Sequence, residues 1–256
     1  MSKIKEYVAH YSLTAGECNP QAVMPATLLA SRIIEVATFH ANHLGVGYAR
    51  LREYGMVWVL SRVSIEMRRW PSVNEDYTIR TWIEDFNRHF SERNFEIATE
   101  DGEVLGYVRS IWMAIDVNGR RSSDISMLES LRDVISDRPC PIEKMPRLGA
   151  LNGEISVNNY TFRYCDCDFN RHVNTVRYME LLLNQWDMDF YDAHQIARYD
   201  IAFMRESHFG KQVQVAIQPT EDEGTFNAEI SHEGNALTKA RIIFKNHIFK
   251  NPIDNF

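Results

Sequence analysis

The chain predicts an α+β fold made of two copies of one unit, each a long helix followed by a run of antiparallel strands. Three observations lead there. Two long stretches carry apolar residues at helical spacing. β-rich segments follow each stretch with no helix between them, which favours antiparallel pairing over βαβ crossovers. The two halves also align with each other over the strands.

In the first half, Pro25 to Leu44 places Leu29, Ile33, Val36 and, one turn past His40, Leu44 on a helical period. Pro25 suits a first turn, and Gly45 and Gly47 suit a stop. The helix reads as apolar around most of its circumference, as one wrapped by a curved sheet should be. Strands are expected in "MVWVLSRVSIEM", "DYTIRTWIEDF", "HFSERNFEIAT" and "VLGYVRSIWMAID", with a turn at Asp101–Gly102 between the last two. In the second half the helix is expected over Asn174–Tyr191. The strands there are "YDIAFMRES", "QVQVAIQPT", "TFNAEISHE" and "ALTKARIIFK".

"GEVLGYVRSIW" from Gly102 lies over "GNALTKARIIF" from Gly234 at an offset of 132, pairing Leu105 with Leu237, Arg109 with Arg241 and Trp112 with Phe244. Upstream, "IEMRRWPSVNEDYTI" from Ile65 lies over "IAFMRESHFGKQVQV" from Ile201 at an offset of 136, pairing Arg69 with Arg205. Solenoid repeats run about 20–50 residues, so a repeat this long is a duplicated domain. Between the copies a short helix around Ile125–Ile135 leads into "DRPCPIEKMPRLG", a proline-rich linker or crossing strap. The expected domains are 1–133 and 153–256, joined by 134–152. A sausage-like helix in a bun-like sheet is the hotdog layout, and two tandem copies make a double hotdog.

The composition bounds the function. In 256 residues, 45% apolar and 25% charged content is that of a globular protein able to bury a sizeable core. No apolar run of membrane-spanning length occurs. The N-terminal "MSKIKEYVAHYSL" has no apolar or transit character, so an intracellular location is expected. A net charge of −7 argues against a general nucleic-acid binder. Cysteines 18, 140, 165 and 167 make no disulfide framework.

The densest chemistry lies in "DCDFNRHVN", Asp166 to Asn174, just before the second helix. Asp166, Asp168 and Asn170 mimic the start of a calcium loop. However, that loop requires glycine at its sixth position and glutamate at its twelfth, and Arg171 and Arg177 stand there. A zinc site from Cys165, Cys167 and His172 has the wrong cysteine spacing and no second pair. Helix capping by Asn170 or Asn174 explains part of the cluster. It does not explain why Asp168, Asn170 and His172 alternate, which in an extended segment puts all three on one face. Cys167 would then face away, and both Cys165 and Cys167 read as buried thiols.

The wider segment "DCDFNRHVNTVRYMELLLN" resembles the acyl-acyl-carrier-protein thioesterases. Their signature runs Asp-x-Asn-x-His-Val-Asn-Asn before a helix with an early Tyr. Asp168, Asn170, His172, Val173, Asn174 and Tyr178 match it, and Thr175 replaces the second Asn. Downstream the family has Arg-Glu-Cys and this chain Arg205-Glu206-Ser207, which argues against a papain-like cysteine nucleophile. "MVWVLSRVSIEMRRWPSVNEDYTIRTW" is similar to the family's N-terminal half. The resemblance covers roughly residues 4–247.

The resemblance implies hydrolysis of acyl thioesters of the acyl carrier protein in a bacterial cytoplasm, with no cofactor and no metal. A thiol leaving group with a pKa of about 8.5 departs without a strong acid, so the site needs an activated water and an oxyanion stabiliser. Helix N–H groups near Asn174 could supply the latter. Asp168 and Glu206 are the expected acid/base pair, with Asn170 and His172 as positioning and charge-stabilising groups. Which carboxylate touches the water stays open. Asn174 and Tyr178 are expected to contact substrate. The first copy has "GECNPQAVMP" before its helix and Trp70 opposite Glu206, so one catalytic site per chain is expected. The interior of the first copy, with Leu29, Ile33, Trp58 and Trp82, is the expected acyl tunnel. Arg171, Arg177 and Lys211 are the expected cations for docking an acidic carrier. An acyl-CoA thioesterase, a non-catalytic acyl-binding hotdog protein and a dehydratase are the alternatives. Monomer and homodimer both stay open.

Overall fold

The computed structural model describes residues 4–119 and 121–247. They divide into two compact units, the first ending at Lys144 and the second starting at Met145, with residues 20–22 grouped with the second.

Unit 1 contains β1 (Glu6–Ser12), α1 (Ala26–His43), α2 (Tyr48–Glu53), β2 (Met56–Met67), β3 (Asp76–Phe86), β4 (Ser91–Thr99) and β5 (Val104–Asp116). Its strands pair in the order β1-β3-β4-β5-β2, every pair antiparallel. α1 packs on β1 and β3. It buries Ala26, Leu29, Ala30, Ile33, Val36, Ala37, His40 and Ala41, a single stripe at three- and four-residue spacing. The expectation of a helix apolar on most sides is therefore corrected. Ser31, Asn42 and His43 leave the opposite side exposed.

The strap belongs to unit 1 as far as Lys144. Ser136 donates its N–H to the Ile83 carbonyl at 2.9 Å. Arg138 bonds Glu6 at 3.1 Å, and Arg109 reaches the carbonyls of Cys140 and Ile142, both at 2.8 Å. Cys140 and Ile142 bury Trp82 beneath them. Burial raises the Cys140 thiol to about 11, leaving it an inert apolar group. The short helix before the strap is of the 3-10 type, Ser126–Val134.

Unit 2 contains β6 (Ser156–Thr161), α3 (Thr175–Leu183), α4 (Met188–Ala193), β7 (His194–Phe203), β8 (Gln212–Pro219), β9 (Thr225–His232) and β10 (Asn235–Asn246). Its order, β6-β8-β9-β10-β7, is that of unit 1, again antiparallel throughout. The single helix expected over 174–191 is two. Asn184 ends α3, and the Asp187 side chain starts α4 by accepting the Phe190 N–H at 2.9 Å. Between them the Trp186 ring packs edge-on against Phe226 and Phe244, with centroids 5.1 and 5.0 Å away. β7 begins five residues earlier than the expected strand and ends at Phe203, so Glu206 stands on a loop beyond it.

The duplication extends to individual hydrogen bonds. The N–H groups of Arg68 and Arg69 both reach the Leu105 carbonyl, at 2.8 and 3.4 Å. In unit 2, Met204 and Arg205 reach Leu237 at 2.8 and 3.2 Å. Met24 N–H donates to the Pro71 carbonyl at 2.9 Å, and Val173 N–H to that of Ser207 at 2.8 Å.

Candidate active site

The segment from Asp166 to Asn174 is folded back on itself. Asp166 closes a short 3-10 turn, its carboxylate accepting from Arg163 N–H at 2.6 Å and the Tyr160 hydroxyl at 3.0 Å. Cys167 and Val173 then form a single antiparallel bridge. Inside it Asp168 N–H donates to the His172 carbonyl at 2.8 Å and Arg171 N–H to that of Asp168 at 3.0 Å. Arg171 takes a left-handed conformation, φ 65°. The segment is thus a tight turn, and the extended face expected for Asp168, Asn170 and His172 does not exist. Period-two alternation cannot survive a turn.

The turn holds Asp168 in another way. Its Oδ1 accepts the N–H groups of Asn170 at 2.8 Å and His172 at 3.2 Å. Oδ2 has no hydrogen bond among the described residues. Asn170 is exposed at the tip.

His172 bridges to His208 in the loop beyond β7, and this bridge brings the two halves of the site together. Glu206 Oε1 lies 3.6 Å from His172 Nδ1. On the other side of the bridge the His208 ring stands edge-to-face on that of His172, with centroids 4.9 Å apart at 67°. His208 Nδ1 lies 3.4 Å from the Arg171 carbonyl. Arg205 bonds Asn235 at 2.9 Å, and Arg177 pairs with Glu180. Ser207, at the family's cysteine position, is buried and gives its backbone carbonyl to Val173. Cys165 is exposed and Cys167 half-buried, so the expectation of two buried thiols is corrected.

Capping uses up most of the helix end. Asn174 Oδ1 accepts Val176 N–H and its carbonyl accepts Arg177 N–H, both at 2.9 Å. Of the first-turn donors, Thr175 N–H has no partner among the described residues, which narrows the expected oxyanion cradle. Tyr178 is buried edge-on against Phe162, with centroids 5.5 Å apart. Its hydroxyl, beside the Ser207 backbone, meets no partner in hydrogen-bond geometry, and burial raises its pKa above the ordinary range. Capping and core packing account for Asn174 and Tyr178 without a ligand.

The segment before α1 builds the same turn from different residues. Asn19 N–H donates to the Val23 carbonyl at 2.9 Å, and Asn19 Oδ1 accepts Val23 N–H at 3.1 Å. Ala22 repeats the left-handed φ, at 57°, and Val23 bridges to Ser72. Buried Trp70 occupies the place of Glu206. Leu29 and Ile33 are fully buried on α1. Trp58 packs near the end of α1 and donates to the Val46 carbonyl at 2.9 Å. Trp82 does not join them. It lies under the strap with Cys140 and Ile142, and the Arg138 guanidinium sits 5.6 Å from its ring centroid. Its neighbours across the sheet, Glu6 and Asn94, carry the ion-paired face. Alternation along β3 runs the other way from the expected one at this position.

Residues 5–132 match the acyl-ACP thioesterase N-terminal domain, and residues 150–246 match the acyl-ACP thioesterase C-terminal domain. The chain belongs to the acyl-ACP thioesterase family. An acyl-ACP thioesterase from Bacteroides thetaiotaomicron is 31% identical, with a TM-score of 0.88 over 94% of this chain and 98% of that one. A 12:0-ACP thioesterase from Umbellularia californica shares the fold at 18% identity, with a TM-score of 0.84 over 94% and 98%. A chloroplastic acyl-[acyl-carrier-protein] hydrolase of Cuphea viscosissima is 26% identical over 77% of this chain and 50% of its own length. A chloroplastic palmitoyl-acyl carrier protein thioesterase of Gossypium hirsutum is 23% identical over 86% and 56%. The chain thus spans about half the length of these curated relatives.

Within the family's motif, the structure gathers Asp168, His172 and Glu206 around one bridge and leaves Asn170 at the turn's exposed tip. Arg171 and Lys211 are exposed, whereas Arg177 is engaged by Glu180 and is a poor docking cation. His208, which the bridge brings against His172, is absent from the residues expected from the sequence. The available signal was its position two residues after Glu206, in "RESH". No helix among the described residues is long and apolar enough to cross a membrane.

Proposed function

We propose that the protein hydrolyses the thioester of acyl-[acyl-carrier-protein], releasing a free fatty acid and the carrier's thiol, from a double-hotdog scaffold. The observation that carries this reading is the His172–Glu206 contact beside a carboxylate, Asp168, in a turn that the segment before α1 builds with an amide. Asp168 Oδ2 takes the proton of a water whose oxygen adds to the thioester carbon. The oxyanion is met by Thr175 N–H and the Asn170 side chain. The C–S bond then breaks, and the thiolate leaves with a proton from His172, whose imidazolium Glu206 stabilises. The helix side of unit 1, around Leu29, Ile33 and Trp58, takes the acyl chain, with Arg171 and Lys211 as docking cations. The boundary between the units, after Lys144, then separates chain binding from hydrolysis. The names of the Bacteroides and plant relatives support the carrier protein as donor, and a bacterial cytoplasm is the matching setting.

The test is release of free fatty acid from acyl-carrier-protein and acyl-CoA substrates by the purified chain, with Asp168→Asn and Glu206→Gln alongside. The reading expects release from the carrier protein and its loss in both variants. Equal rates in all three proteins would end it. Preference for CoA would replace the donor.

A further inference from the structure

Resting on the reading above, we infer that His208 is a positioning residue that holds the His172 imidazole against Glu206. Three observations meet at this residue. His172 and His208 stand directly opposite each other in an isolated antiparallel bridge, so their side chains leave the same side. Their rings meet edge-to-face, the arrangement that aromatic quadrupoles favour, with centroids 4.9 Å apart. His208 Nδ1 also lies 3.4 Å from the carbonyl of Arg171, the left-handed residue immediately before His172. A carbonyl only accepts, so this contact assigns the proton to Nδ1. His208 thus touches the ring of His172 and the backbone turn that carries it.

Unit 1 shows that the bridge does not need these imidazoles. The same bridge forms there between Val23 and Ser72, and the carbonyl beyond it, Pro71, accepts Met24 N–H as Ser207 accepts Val173. Two imidazoles at a position where valine and serine suffice are in excess of what the backbone requires. Without the His208 ring, His172 loses this edge-to-face contact and its torsions are freer. The 3.6 Å approach of Nδ1 to Glu206 is then one rotamer among several.

The variant that isolates this role is His208→Ser, which installs the residue unit 1 uses at the same bridge and so preserves the fold. We expect kcat to fall about tenfold with KM within about twofold, since a misplaced catalytic group costs rate more than ground-state binding. His208→Phe restores the ring edge and should recover kcat to within about threefold of wild type. Wild-type kcat in His208→Ser, or equal losses in the serine and phenylalanine variants, would overturn the inference. A second measurement needs no turnover. By NMR, Glu206→Gln should change the titration midpoint of the His172 ring proton in the wild-type background and change it less in the His208→Ser background. Equal changes overturn the positioning role even if hydrolysis itself is never observed. A wild-type chain without thioesterase activity overturns only the functional reading.

Discussion

Asn19 and Asp168 hold the same position in the same turn, each accepting at Oδ1 the backbone N–H four residues on, at 3.1 and 3.2 Å. One is an amide and the other a carboxylate. The turn therefore needs a side-chain oxygen and not a charge, and the negative charge of Asp168 is surplus to folding.

Asp168→Asn should accordingly fold as the wild type does. The stability change should stay within about 0.5 kcal/mol, as for a substitution that breaks no packing or hydrogen bond. Fatty-acid release should fall by about 10²-fold or more, the low end for losing a general base. Denaturation midpoints and turnover on the same preparations check both halves. A variant that is inactive because it is unfolded would contradict the equivalence with Asn19.

Ser207 is expected to be chemically silent. Its contribution to the turn is the backbone carbonyl, a role Pro71 fills in unit 1 with no hydroxyl. Ser207→Ala should keep kcat within about threefold of wild type, whereas removing a covalent nucleophile costs about 10⁶-fold. Single-turnover rates decide between them.

Arg109 ties the strap to unit 1 through two backbone carbonyls and neutralises buried Glu92 at 3.2 Å. Lys144, which also reaches Glu92 at 2.9 Å, is mostly exposed and a weaker substitute. Arg109→Met should cost about 2–4 kcal/mol. It should also speed tryptic cleavage after Lys144, whereas the Arg138–Pro139 bond resists trypsin in any conformation. Limited proteolysis with mass analysis of the fragments is the measurement.

His40 gives unit 1 a pH dependence. It is fully buried, its Nδ1 accepting from Arg93 at 2.8 Å and its Nε2–H donating to the Ile4 carbonyl at 3.0 Å. Burial, and then the Arg93 charge, lower it from 6.5 to about 4. The folded form therefore binds this proton less readily than the unfolded chain. Its contribution is complete above 6.5 and is lost as pH falls toward 4, by up to about 3 kcal/mol. Urea midpoints at pH 7, 6 and 5 should fall in wild type and flatten in His40→Gln. Paired carboxylates such as Glu6 and Glu75, held below 4.5, act at lower pH.

The sequence by itself determined the duplication, the bounds of three strands and the motif that carries the candidate site. β2, β3 and β5 begin and end where their patterns did, and pairs such as Arg69 with Arg205 recur as equivalent hydrogen bonds. These features follow from side-chain period, turn residues and internal likeness, all local in the chain. What tertiary structure decided was where local geometry is overruled. The alternation of Asp168, Asn170 and His172 suggested an extended face, but pairing of Val173 with Ser207 bends the segment into a turn. Trp82 fits the strand pattern of either face until residues 140–142 cover one of them. His208 is remote from His172 in sequence and meets it only across a bridge that no local pattern encodes. The site is legible as a list of residues in the sequence, but its pairings are fixed only by long-range backbone hydrogen bonds.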